Sequence, residues 1–82
     1  MRSVMDRGRA WELFGAPTDQ EGSVNDPRSH EEYGARWNEK WIYRSDDGVA
    51  VVRMVLWNRY DLVGVFRAKG DGGFEPEPLP ES

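Results

Sequence analysis

Eighty-two residues, 38% hydrophobic and 32% charged with a net charge of −4, set one small acidic domain with a thin core. The absence of cysteine excludes a disulfide framework, a thiolate nucleophile and thiolate metal or iron–sulfur sites, and a single histidine, His30, excludes a multi-histidine metal site within one chain. The apolar runs Val49–Val52 and Met54–Trp57, broken by Arg53, are far short of a spanning helix, so a soluble, cytoplasmic protein is expected.

In chain order, the first element predicted is a short helix over Met5–Phe14. Asp6 is placed as its N-cap, Trp11 and Phe14 stand three apart, and Gly15 with Pro17 stops it. Ala16–Arg28 reads as a polar loop punctuated by Pro17, Gly22 and Pro27. Ser29-His30-Glu31-Glu32 matches a capping box, which predicts one or two further helical turns ending near Gly34.

The central block reads as antiparallel sheet. Arg36–Arg44 is rich in aromatics and ends at the turn cluster Ser45-Asp46-Asp47-Gly48. Val49–Trp57 is β-branched, and after Asn58-Arg59-Tyr60-Asp61 a third run extends from Leu62 to Ala68. The expected fold is α+β, mainly β: a three- to four-stranded antiparallel meander with one or two short N-terminal helices, Phe74 adding a last edge strand. Residues 1–69 form the domain, divided into a helical and loop segment (1–35) and a sheet (36–69). Residues 70–82 form an acidic tail rich in glycine and proline. The charge follows this division, at −3 over 1–35, +3 over 36–69 and −4 over 70–82.

Pairing Arg44 with Val49 across the first turn puts Trp37, Trp41, Tyr43, Val52, Met54 and Leu56 on one face, joined by Val63 and Val65. That face is the expected core. The other carries Arg36, Lys40, Arg44, Arg53 and Arg59, but also Ile42, Val51, Val55, Trp57 and Phe66, and is too apolar to be simply solvated. Either the N-terminal segment or a second copy of the chain should cover it.

Three functions follow from these patterns. The leading one is a small accessory or binding protein that works through protein contacts, including self-association, with Arg53, Val55, Trp57 and Phe66 as the interface. The alternative is a cofactor-independent enzyme or ligand-binding domain. Strand parity sets Glu39 among Trp37, Trp41, Tyr43, Met54 and Arg67, where desolvation would suit the carboxylate to acid–base work, but the cost of burying a lone carboxylate favours a place near the sheet's end or edge with the carboxylate in water, or a bulge that flips the parity. The thin catalytic inventory argues against an enzyme, and neither metal nor cofactor is expected. The third is single-stranded nucleic-acid binding by Arg36, Lys40, Arg53, Trp57, Arg59 and Phe66, against which the acidic balance and the lack of a basic cluster argue. His30 beside Glu31 and Glu32 is not a metal site, because neighbouring side chains diverge. Gly70-Asp71-Gly72-Gly73 lacks the lysine and helix of a phosphate loop. Gly64, inside a strand, marks a bulge or a close approach.

Overall fold

A computed structural model describes residues 6–78. Its elements are a helix, α1 (Arg7–Phe14), and seven strands: β1 (Asp19–Gly22), β2 (His30–Glu32), β3 (Ala35–Trp37), β4 (Glu39–Arg44), β5 (Val51–Asn58), β6 (Asp61–Ala68) and β7 (Phe74–Pro76). Five strands form one antiparallel sheet in the order β1-β4-β5-β6-β7, and β2 pairs with β3 as a separate hairpin. The fold is mainly β as expected, with more strands than three or four and one helix among the described residues.

The helix follows its sequence signals. Asp6 accepts a hydrogen bond from the Arg9 amide at 2.7 Å, and Gly15, at φ +81°, donates its N–H to the Trp11 carbonyl, closing the last turn. Met5, the expected first residue, lies outside the described residues. The segment at Ser29–Gly34 is corrected: it is the β2–β3 hairpin, with Glu32 opposite Ala35 across Tyr33-Gly34. Both of those residues have positive φ, 55° and 81°, as a two-residue type I′ loop demands, and this turn prevails over the capping box. The polar loop after α1 contains β1, a strand with every residue exposed that exists because β4 offers it an edge. The expected edge strand at Phe74 is present as β7, which pairs with β6 through Phe66–Ala68 and carries the sheet past residue 69.

The β4–β5 register is corrected too. Arg44 stands opposite Val51 rather than Val49, and a bulge follows, so that Trp41 faces Val55 and Glu39 faces Trp57. Away from the bulge this is an odd shift from the expected pairing, and an odd shift sends every β5 side chain to the other face. Trp41, Tyr43, Val55, Trp57 and Val65 therefore share one face, covered by Ala10 and Phe14 of α1. Met54, Leu56 and Phe66 share the opposite face, covered by Ala35 and Trp37 of the β2–β3 hairpin. The N-terminal half of the chain covers both faces. Leu56 and Trp57, neighbours in sequence, are fully buried on opposite sides, each such side chain contributing about 1.5–3 kcal/mol.

Gly64 serves both expected purposes. A bulge falls where Leu62 and Gly64 face Trp57 and Leu56, and a Cβ at Gly64 would stand 2.7 Å from the Phe66 ring, which lies over the bare backbone.

Candidate functional site

The most densely built polar region lies where the start of α1 meets the start of β4. Glu39 is 2% exposed. Its Oε2 accepts from Gln20 Nε2 at 2.8 Å and from the Trp41 indole N–H at 2.9 Å. Its Oε1 lies 2.8 Å from Arg7 Nη2, a charge contact in which no N–H of Arg7 is aligned on the oxygen. The Arg7 guanidinium carbon stands 5.3 Å from the Trp41 ring centroid and 5.1 Å from that of Trp57, so the cation lies over two indole faces. The two rings are 5.1 Å apart, and Trp11 meets Trp41 edge-on at 5.7 Å.

Local structure explains each position. Arg7 is the first helical residue, and α1 lies on the sheet through Arg7, Ala10 and Phe14, spaced by three and four. Gln20 stands beside Trp41 through the β1–β4 register, and Trp57 stands opposite Glu39 through that of β4–β5. At the far end of α1 the Tyr43 hydroxyl donates to the Gly15 carbonyl at 2.8 Å. Burial pushes the Tyr43 phenol up to about 12, partly opposed by the Arg53 cation.

The expected pocket does not gather in one place. Trp41 and Tyr43 share the face of Glu39, whereas Trp37 and Met54 lie on the opposite face. Arg67 stands beside Arg53 at the other end of the sheet and bonds Glu75 at 2.9 Å. Glu39 is buried rather than in water at an edge, because Gln20 and Trp41 bond its Oε2 and the Arg7 cation lies against its Oε1, so a substrate would have to displace one of them.

The expected interface residues do not form a surface within this chain. Val55 and Trp57 are 0% exposed and sit beneath α1, while Phe66 is buried on the other face. Arg53 lies over the Phe14 ring and forms a two-pronged pair with Glu77 at 2.8 and 2.9 Å. The cationic patch is dispersed in the same way. Lys40 is buried over Trp37 and pairs with Glu32 at 2.7 Å, and Arg59 reaches the Val24 carbonyl. His30 stacks on Trp37 with ring centroids 4.7 Å apart. Among the described residues no group of three or more His, Cys, Asp or Glu could hold a metal ion, and no helix is long and apolar enough to cross a membrane.

Sequence reasoning missed Arg7, Gln20 and Asn38. Asn38 is 3% exposed. Its Nδ2 donates to the Val24 and Asp26 carbonyls at 3.2 and 3.1 Å, and its Oδ1 accepts the Arg59 amide at 2.9 Å, so one side chain ties two loops together. Nothing in the sequence marks Arg7 and Gln20 as partners of Glu39. They arrive through the placement of α1 and β1, the two elements hardest to position from sequence. No protein-family model, curated protein or solved structure matches this chain.

Proposed function

We propose that this chain is a small cytoplasmic binding protein that acts through protein contacts, self-association among them, and that its recognition surface is the outer side of α1 with the tryptophan corner beneath it. The observation that carries this reading is Trp11, which keeps 48% of its surface exposed while resting edge-on against buried Trp41. A large, rigid aromatic half in water and backed by its own packed neighbour has the character of an interface anchor. Leu13, 41% exposed, flanks the helix on the side away from Trp11, so a partner laid across α1 meets both. Arg53, Val55 and Trp57, the residues expected to meet a partner, support this surface from beneath. The Arg7 cation and the two donors packed against Glu39 weigh against acid–base catalysis, and the dispersed cations weigh against nucleic acid.

A photo-crosslinking residue at position 13 tests the reading, with the same residue at the exposed loop position 49 as control. One discrete adduct, to a partner or to a second copy, is expected at 13 and not at 49. It should disappear on Trp11→Ser while thermal unfolding stays cooperative. Absence of a discrete adduct at 13, or an equal one at 49, overturns the proposal.

A further inference from the structure

We infer that the corner formed by Trp41, Trp57 and Glu39 is a binding site for the guanidinium of an arginine on a partner protein, and that Arg7 is its resident stand-in. This rests on the binding-protein reading and names the chemistry of the partner.

The walls of the site are built without Arg7. Glu39 is fixed through Oε2 by Gln20 and Trp41, both on the sheet, and the Trp41 and Trp57 rings stand 54° apart across β4 and β5. The corner thus offers two aromatic faces and one carboxylate oxygen, the combination that suits a planar, delocalised, weakly hydrated cation.

Arg7 fits this corner incompletely. Its guanidinium is close to Oε1, yet that buried oxygen receives no aligned donor. The other bond of the Arg7 head, from Nη1 to the Arg59 carbonyl, is long at 3.3 Å. A permanent cationic occupant is expected to aim an N–H at such an oxygen. The Arg7 side chain is also 28% exposed, so the corner it fills borders water beside half-exposed Trp11, and an outside arginine enters when the Arg7 head swings out.

A site filled by an in-chain competitor binds an outside ligand more weakly, in proportion to the fraction of time it stands open. Removing Arg7 should therefore tighten binding, by about tenfold if the corner is open a tenth of the time. The probe is N-acetyl-L-arginine methylamide, titrated against the chain and its Arg7→Ala and Arg7→Gln variants, with the indole N–H resonances of Trp41 and Trp57 as readout. Saturable shifts that tighten about tenfold in a variant, are absent with the neutral citrulline analogue and vanish when Glu39→Gln is added support the site. Folded variants with no saturable shift overturn it, as does equal response to citrulline or tighter binding of the trimethyl-lysine analogue. Failure of both Arg7 variants to fold overturns it as well, because Arg7 would then be fixed structure rather than a replaceable occupant. The crosslink at position 13 is independent of these outcomes: if it forms and the arginine titration is flat, the binding reading stands and the arginine site falls.

Discussion

Replacing Asn38 by alanine should cost this protein a large share of its stability. The side chain makes three hydrogen bonds to backbone groups of two loops, at 3.2, 3.1 and 2.9 Å, from a position 3% exposed. At a net of about 1 kcal/mol each, their loss comes to about 3 kcal/mol. A domain of this length has a total of about 4–12 kcal/mol to lose. Asn38→Asp separates the two halves of the interaction. It keeps an oxygen for the Arg59 amide but removes both donated bonds and turns a carboxylate toward the Val24 and Asp26 carbonyls, so it should be no more stable than the alanine variant. Urea unfolding at neutral pH measures both, with the midpoint and slope read separately. A loss below about 1 kcal/mol for Asn38→Ala with unchanged slope would refute the reasoning, since three net bonds of ordinary strength could not then be present.

Two further predictions rest on single contacts. A Cβ at Gly22 would stand 2.1 Å from the Asn38 carbonyl oxygen, at φ +74°, whereas one at Gly34, at φ +81°, meets nothing within 4 Å. Gly34→Ala should therefore lose only the backbone term of about 1–2 kcal/mol, and Gly22→Ala distinctly more; equal losses in urea unfolding would contradict the steric account. Tyr43 carries a raised phenol pKa of about 12, against 10.0 for the free side chain, because of burial. Between those values the unfolded chain has released the proton and the folded one retains it, so Tyr43 costs stability as pH rises from 10 to 12. Stability measured at pH 9 and 11 should fall less in Tyr43→Phe than in the parent, and identical slopes would contradict the assignment.

Much of the fold is legible in the sequence where a local signal decides it. Asp6 and Gly15 bracket α1, and Ser45–Gly48 turns the chain between β4 and β5, where Asp47 accepts from Ser45 and from the Val49 amide. Those bonds hold the Asp47 carboxyl below its usual range. The register is a different matter. The loop between Arg44 and Val51 is longer than the four turn residues suggest, because Val49 and Ala50 belong to it: the Ser45 amide bonds the Ala50 carbonyl. Alternation then transfers that error to the whole of β5. This is why Met54 lies on the face opposite Glu39, whereas Trp37 lies there because residues 35–37 pair with β2, and Arg67 is far from Glu39 because it stands at the other end of the sheet. Strand β1, with no apolar residue, leaves no periodic trace and exists only through pairing. The candidate site suffers most from this, since Gln20 and Arg7 reach Glu39 from elements whose position is tertiary information.

The way the N-terminal half covers both sheet faces also orders events during synthesis. Strands β4, β5 and β6 form a template from neighbouring hairpins, closed by short local turns, whereas α1 and the β2–β3 hairpin have their burial surface on strands made later. Ala10 belongs to the cluster that includes Val55, Trp57 and Val65, and Trp37 to that of Met54, Leu56 and Phe66, so a nascent chain that has emerged only to residue 50 has no complete place for either. The ribosome releases the cover before the thing it covers. Residues 6–37 must wait in the open, their tryptophans exposed, until β6 is complete. Folding of these residues is consequently a closing event that awaits β6, in which the first-made segment docks last.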